Sequence, residues 1–154
     1  TQSPSALQDY YLKEVTITAL DEQGIPQHRL SAAHMGHFSE AERSDLVQPE
    51  LLVFKQNNTT WHVTAQRGEV NLRQDEVLLQ GAVKFSQTGA GAPLELSTPS
   101  LRIQPGPGIA ETDQSVTLLH AGKRIEAIGM EIERDNQRLV LLSQVKGRHE
   151  TNLP

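Results

Sequence analysis

The sequence predicts an all-β fold of many short antiparallel strands arranged in two facing sheets, and three observations support this. Apolar and polar residues alternate with a period of two through much of the 154-residue chain. Turn-forming residues recur about every ten residues, as in β stacks, sandwiches and barrels. A block of about thirty residues also recurs, and such repeats indicate stacked units that are each too small to bury a core alone.

Three copies of the repeat share one register. Each copy opens with a small residue and closes with a valine eighteen residues later. A looser fourth copy begins in residues 29–38 and ends in residues 49–54. Repeats in register predict a quasi-one-dimensional stack rather than a compact enzyme. The opening and closing residues are Ala65 with Val83, Thr98 with Val116, and Ala127 with Val145.

The N-terminal part of the chain predicts a leader followed by a first strand and a turn. Residues 1–9 (TQSPSALQD) are polar and are expected to be disordered. The strand begins near residue 10, where apolar residues alternate with threonines, and residues 20–24 (LDEQG) predict a hairpin turn. Because the chain starts at Thr1 without methionine, we expect an upstream signal peptide or membrane anchor to have been removed. One β domain is expected over residues 10–150, with a tail at 151–154.

Residues 31–43 (SAAHMGHFSEAER) allow a competing interpretation, because the segment is rich in alanine and fits a short helix. Gly36 disfavours the helix. The repeat register places Leu30 and Ala32 where Val63 and Ala65 stand in the next copy. We therefore predict a strand here, followed by a turn near residues 40–45.

The remainder of the chain continues as strands and turns. Trp61 and Val63 share one face with Ala65, and the residues between them share the other. Connections of only a few residues favour hairpins over crossovers. The strands are expected to form an elongated, right-twisted open roll that encloses an apolar slot. Turns are predicted at residues 73–76, 89–93, 105–108 and 134–137.

Composition excludes several classes of protein. The net charge of −5 gives no attraction to nucleic acid, and the absence of cysteine excludes disulfides and thiolate metal sites. Apolar runs are too short to cross a bilayer. His34 and His37 have metal-ligand spacing only on a helix, since residues three apart point to opposite faces of a strand. We predict no enzyme, no metal site and no cofactor, and the 4 % aromatic content argues against a polysaccharide-cleaving solenoid.

Several short motifs, in this order and spacing, resemble the LptC family, the inner-membrane-anchored periplasmic component of the lipopolysaccharide transport bridge. The resemblance implies an elongated, twisted β-jellyroll of the OstA-like type, placed on the periplasmic side of the inner membrane. The family's single membrane-spanning helix is not contained in this sequence. The motifs are QPELLVF (48–54), WHVTA (61–65), LQGAV (79–83), LSTPSLRIQP (96–105), AETDQSV (110–116), GM (129–130) and LLSQVKG (141–147).

The resemblance also implies a function. A protein of this family binds the acyl chains of lipopolysaccharide in an apolar groove and passes the lipid from an inner-membrane ABC transporter to the next bridge protein. The implied partners are LptA at the C-terminal edge and the LptB-LptF-LptG transporter at the N-terminal end. Two alternatives stay open: a soluble periplasmic bridge protein of the same repeat family, and a structural β-adaptor with a filled core.

Candidate site residues follow from the alternation and the resemblance. Burying a methylene group stabilises a bound lipid by about 0.8 kcal/mol, so apolar residues are the expected lining. An uncapped last strand is expected to pair with a partner. The predicted partner edge is Leu139, Val140, Leu141, Leu142 and Val145. The predicted groove lining is Leu30, Phe38, Leu46, Leu52, Phe54, Val63, Val70, Leu72, Val77, Leu79, Val83, Leu101, Ile103, Val116 and Met130.

Overall fold

The computed structural model describes residues 10–54, 59–71, 75–89, 91–134 and 138–149, which form eleven antiparallel strands. The predicted all-β fold is confirmed. No helix in the described residues is long and apolar enough to cross a bilayer. The strands are β1 (Tyr10–Leu20), β2 (Pro26–Phe38), β3 (Arg43–Val47), β4 (Glu50–Val53), β5 (Thr60–Thr64), β6 (Arg67–Asn71), β7 (Glu76–Thr88), β8 (Leu94–Gln104), β9 (Ile109–His120), β10 (Lys123–Glu133) and β11 (Arg138–His149).

The strands follow one another as an antiparallel meander. Strands β3 and β4 lie in line and pair with successive parts of β2, as Met35 opposite Leu46 and Leu30 opposite Leu51 show. Strands β5 and β6 pair in the same way with β7. Strands β3 and β4 are therefore the two halves of one bent strand, and β5 and β6 are the two halves of the next. From β7 onward, each strand pairs with the next in sequence up to β11, so the predicted hairpin connections are confirmed.

The strands bend near their midpoints along a line that we call the crease. It passes through Glu14 in β1, Gln48 between β3 and β4, Gln66 between β5 and β6, and Ala82 in β7. Gln48 N–H donates to the carbonyl of Gln66, and Gln66 N–H donates to that of Gly81, each at 2.9 Å. Further along, Gly129 and Gln144 have φ values of 84° and 50°. The pairing register also shifts at this level in β7 to β11, as expected for β-bulges that bend a sheet.

The crease divides the sheet into two halves that face each other. Leu94, at the start of β8, and Ile132, near the end of β10, line a common cavity although they lie at opposite ends of their strands. Half-sheet 1 contains residues 15–20, 26–32, 50–53, 60–64, 83–88, 94–98, 116–120, 123–127 and 145–149. Half-sheet 2 contains residues 10–13, 34–38, 43–47, 67–71, 76–80, 101–104, 109–112, 130–133 and 138–143.

One apolar cluster fills the space between the half-sheets. Trp61 and Phe85 are its largest fully buried side chains, and their rings meet edge to face at 5.1 Å. The Trp61 indole N–H donates to Gln87 Oε1 at 2.8 Å, so the ring is fixed by a polar bond as well as by packing. These two rings therefore occupy the interior at this level.

Local predictions are mostly confirmed where residues are described. The segment at 31–43 forms strand to Phe38 and then a turn at 39–42, not a helix. In the first hairpin, Asp21 Oδ1 accepts hydrogen bonds from the backbone N–H groups of Gln23 and Ile25. The predicted leader at 1–9 and tail at 151–154 lie outside the described residues, as do residues 73–74, 90 and 135–137 of three predicted turns.

Candidate functional site

The candidate site is the slot between the half-sheets. Most residues predicted to line it are buried there, and Val70 is half-buried against the same cluster. Inward residues are opposite one another from strand to strand, as Val63 with Phe85 and Phe85 with Leu96 show. The buried members of the predicted lining are Leu30, Leu46, Val63, Val77, Leu79, Val83, Leu101, Ile103, Val116 and Met130.

Three predicted lining residues lie on the outer face instead. Leu52 stands between fully buried Leu51 and Val53, so its side chain points away from the slot. Phe54 lies under the Arg29 guanidinium, 5.5 Å from its ring centroid, on that same outer face. Phe38 likewise lies beside outward Arg43, at 4.8 Å. The prediction for these residues is wrong. For Leu52 and Phe54, the run LLVF has no alternation of its own, and the partners across the strands decide its orientation. For Phe38, the inward parity of β2 shifts at the bend between buried Ala32 and buried Met35. Leu72 lies outside the described residues.

Several inward residues were not predicted from the sequence. Trp61 and Phe85 extend the alternation that contains Val63 and Val83, and that pattern was sufficient to find them. Leu94, Leu96 and Leu118 become evident only from the cross-strand register. The other buried apolar residues that were missed are Ala32, Met35, Leu51, Val53, Ala110, Ala127 and Ile132.

The opening and closing residues of the repeat are neighbours across strands at the crease. Val83 is opposite Thr98, and Val116 is opposite Ala127. At the N-terminal end, Val15 is opposite Ala32 in the same way. At the crease, the valine that closes one copy of the repeat is therefore the cross-strand neighbour of the small residue that opens the next copy.

Polar groups inside the slot have partners within the protein. Thr98 Oγ1 donates to the Ser115 carbonyl at 2.9 Å, and His37 Nδ1 lies 2.9 Å from Ser44 Oγ. His28 differs, since its Nδ1 is buried without a hydrogen-bond partner. Burial lowers the pKa of His28, and the negative charge of Asp75 on the opposite half-sheet partly offsets that shift. Neutral imidazole is therefore favoured at the lip of the slot.

The N-terminal end of the slot is open. Leu12 and Ile17 of β1 lie opposite buried Met35 and Leu30 of β2, so they face inward. They are nevertheless 40 % and 45 % exposed, because no further layer covers them among the described residues. The slot thus presents an apolar surface at this end.

The C-terminal end is open in the same sense. In β11, Leu141 packs against the core opposite Met130, and Leu139 lies opposite Ile132. Inward Val145 is 53 % exposed, whereas Leu142, next to inward Leu141, lies on the outer face. Among the described strands, β11 pairs only with β10. Its other edge carries backbone groups available for pairing.

A third opening lies along the side of the slot, where the lips of the two half-sheets meet near β11. This side opening has a volume of about 200 Å³. Half-sheet 1 contributes polar and apolar residues to its wall, and half-sheet 2 contributes apolar residues as well as the charged residues at the rim. The lining residues are Thr59, Gln87, Leu94, Ile132, Glu133, Arg134, Arg138 and Leu139.

The histidines near residue 34 do not form a metal site. His34 stacks on Tyr11 on the outer face, with ring centroids 5.5 Å apart, whereas His37 bonds to buried Ser44 on the inner face. Across the described part of the chain, no group of three or more potential ligands is placed to hold a metal ion.

Comparisons with known proteins agree with this architecture. Residues 2–150 match the family described as "Lipopolysaccharide-assembly, LptC-related". A comparison with curated protein sequences gave no match. The fold is similar to that of LptH from Pseudomonas aeruginosa, described as the LptA homologous periplasmic component of the conserved lipopolysaccharide transport device. That likeness has a TM-score of 0.62 at 9 % identity and covers 79 % of this chain and 93 % of the other.

Proposed function

The chain belongs to the LptC-related lipopolysaccharide-assembly family, and from this premise we propose that it binds the acyl chains of lipopolysaccharide between its two half-sheets. In this role it receives the lipid from an inner-membrane ABC transporter and passes it to the next periplasmic bridge protein. Family membership supports the broader role in lipopolysaccharide transport. The finer steps are our proposal.

The observation that carries the proposal is the continuous apolar interior, which is open at both ends. The buried cluster runs from Leu30 in β2 to Ile132 in β10, and inward apolar residues are exposed in β1 and β11. A sealed globular core has no such exposed inward rows. An apolar channel with open ends suits a cargo that enters at one end and leaves at the other.

The interior is occupied by its own side chains, so a lipid must displace them. Backbone ladders run within each half-sheet, and only side chains meet across the slot. Each methylene that enters gains about 0.8 kcal/mol from burial, which offsets the separation of the half-sheets. Trp61 and Phe85, both on half-sheet 1, are the bulkiest fully buried side chains in the slot. We propose that acyl chains pass this level only when the two rings are displaced.

The free edge of β11 supports pairing with the following bridge protein, LptA in this family. Val83 lies opposite the small residue Thr98 on the next strand, and Val116 lies opposite Ala127. Val145 occupies the equivalent position in β11. The described chain supplies no such strand beyond β11. A strand from the partner carrying a small residue at this level would continue the repeat and the slot. At the opposite end, β1 offers the equivalent surface to the LptB-LptF-LptG transporter.

Site-specific photocrosslinking in lipopolysaccharide-producing cells tests the lipid site. A photoreactive residue at Val83, which is fully buried in the slot, is expected to crosslink to the lipid. The neighbouring outward residue Lys84 is the matched control and is expected to give no lipid adduct. Equal lipid crosslinking at the two positions would contradict binding in the slot.

The same approach tests the edge. A photoreactive residue at Val145 is expected to crosslink to a bridge protein, and at Ile17 to a transporter subunit. If Val145 crosslinked to a transporter subunit and Ile17 to a bridge protein, the orientation would be the reverse of the proposed one. Absence of any protein adduct at Val145, in cells that crosslink lipid at Val83, would refute edge pairing alone.

A structural β-adaptor remains the second candidate, and the filled interior favours it. Trp61, Leu79 and Leu101 are each 0 % exposed, as in a core that never opens. Native mass spectrometry with added lipid A separates the two candidates. A lipid transporter is expected to retain the lipid, and an adaptor is expected to remain unliganded.

A further inference from the structure

We propose that the side opening between the lips of the slot is a binding site for the phosphorylated headgroup of a lipid, with Arg134 and Arg138 as the anion-binding residues. The inference rests on the proposed function, because it assumes that acyl chains occupy the slot. It assigns the point at which the polar part of that lipid is held. Within the described residues, the assignment comes from the arrangement of apolar and charged groups around one cavity.

The floor of the side opening is apolar and continuous with the slot. Leu94 and Ile132 are buried at 7 % and 3 % exposure, and Leu139 lies opposite Ile132 on the last strand. Gln87 joins this floor to the aromatic level, since its side-chain oxygen accepts the Trp61 indole hydrogen bond. An acyl chain in the slot therefore has a lateral exit for its headgroup at this point. The cavity of about 200 Å³ is too small for a multi-acylated lipid but admits the junction between tail and headgroup.

The rim of the opening carries two arginines held in different ways. The Arg134 guanidinium donates to the carbonyls of Pro105 and Gly106 at 3.4 and 3.3 Å, and these bonds fix it at the lip. Arg138 is 59 % exposed and pairs with Glu133 at 3.4 Å. A guanidinium has five N–H donors and matches the geometry of phosphate oxygens. Arg134 is thus a cation held in place by backbone carbonyls, and Arg138 is an exposed cation in an ion pair.

A phosphate group competes well for Arg138. The ion pair with Glu133 is long and exposed, and such pairs contribute little free energy. A phosphate offers more charge and more acceptor oxygens than a carboxylate, and it forms bidentate bonds with arginine. Rotation of Arg138 from Glu133 to a bound phosphate is therefore favourable. Glu133 remains near the bound phosphate and repels it. Arg138 is therefore expected to make only a moderate contribution to the binding free energy.

A second surface cavity also contains an arginine but is not expected to bind an anion. Arg102 lines a cavity of about 230 Å³ on the outer face, together with Glu111, Asp113 and Glu131. It pairs with Glu76 and Glu111 at 3.4 Å each. The surplus of carboxylates there repels an anion. Arg102 is therefore the matched control for an exposed arginine on the same half-sheet.

The test compares lipid A carrying both phosphates with the same lipid after enzymatic dephosphorylation, in equilibrium binding titrations. The wild-type protein is expected to bind the phosphorylated form roughly tenfold more tightly, as for one or two partly exposed charged hydrogen bonds. Arg138→Gln is expected to remove most of that preference and to leave binding of the dephosphorylated lipid unchanged. Arg102→Gln is expected to retain the full preference. Arg134→Lys, which keeps the charge but loses the planar donor set, is expected to show an intermediate preference.

The outcomes are distinguishable. If Arg138→Gln keeps the wild-type preference, the phosphate assignment is wrong while lipid binding stands. If the wild-type protein binds neither lipid, the proposed function fails, and the inference fails with it. Inorganic phosphate is expected to compete only in the millimolar range, about as weakly as other exposed ion contacts. Competition at micromolar concentration would assign the site to the free anion and overturn the lipid assignment. Thermal unfolding of each variant shows whether a lost preference reflects lost structure.

Discussion

The middle of the slot and its two ends follow the same sequence pattern but differ in burial. In the middle, Trp61 and Leu79 are 0 % exposed. At the ends, inward Ile17 and Val145 are 45 % and 53 % exposed. All four occupy inward positions of antiparallel strands. What differs is that the middle strands have a neighbour on each side and the terminal strands have one.

Burial in this fold is therefore a property of the stack and not of the individual repeat. Each layer becomes a core only when the next layer covers it, as expected for quasi-one-dimensional proteins. The terminal layers remain incomplete within the described chain. The comparison predicts that truncating side chains in the middle costs stability, whereas truncating them at the ends mainly affects assembly.

The largest expected effect is in the middle of the slot. Trp61→Ala is expected to lower the free energy of unfolding by about 3–5 kcal/mol, because it leaves a cavity and removes the ring contact with Phe85. Val145→Ala, at a 53 % exposed inward position of β11, is expected to cost about 1 kcal/mol or less. Urea unfolding measures both values. Similar losses in the two variants would show that the ends are as well packed as the middle.

A smaller effect is expected at the crease near the C-terminal end. Gly129 has φ +84°, and an added Cβ would lie 2.8 Å from Leu142 Cδ1. Gly129→Ala is expected to destabilise by about 2–4 kcal/mol, combining backbone strain with overpacking. Gly24, with φ +83° and nothing within 4 Å of such a Cβ, is the control. Gly24→Ala is expected to cost about 1–2 kcal/mol, which reflects strain alone.

Thermal or urea unfolding of the double variant Gly129→Ala/Leu142→Ala sharpens this result. Removing most of the Leu142 side chain is expected to recover part of the stability lost to steric overlap, but none of the stability lost to the positive φ at residue 129. If the double variant is no more stable than Gly129→Ala, then Leu142 does not pack over the crease.

The smallest effect is a pH dependence at the lip of the slot. Because burial lowers the pKa of His28 below its usual value of 6.5, the unfolded chain binds the proton more readily than the folded protein. The contribution of neutral His28 to the free energy of unfolding is therefore fully present above about pH 6.5 and decreases as the pH falls below that value. His28→Gln is expected to reduce that decrease between pH 7.5 and pH 5.5, as measured by urea unfolding. An unchanged slope in the variant would place the pH dependence on other groups.

The strands and their repeat were predictable from the sequence because burial on one face imposes a period of two. The strand at 26–38 was recognised from the register of Leu30 and Ala32, against a helix-compatible composition. The roles of the repeat landmarks were not predictable. Val83 and Thr98 belong to different copies, and their contact becomes evident only when the strands are paired.

The orientation of uniform apolar runs was also not predictable. Residues 51–54 read LLVF, and either alternate pair fits an inward face. The pairing of Val53 with Trp61 and of Leu51 with Val63 decides the question in favour of Leu51 and Val53. At each bend the inward parity also shifts, as between Thr98 and Leu101 in β8. A pattern read continuously through such a bend assigns the wrong face.

The crease has a mechanical consequence. Main-chain hydrogen bonds run along it from Gln48 to Gln66 and on to Gly81, and strands such as β7 continue through it, so the crease acts as a hinge line between the two half-sheets. Changing the angle between the half-sheets at the crease changes the width of the slot, while the hydrogen bonds between strands within each half-sheet remain intact. Widening the slot would then cost only the side-chain contacts between the half-sheets. In the proposed role, an entering hydrocarbon tail would replace those contacts, and the protein would accommodate its lipid without unfolding.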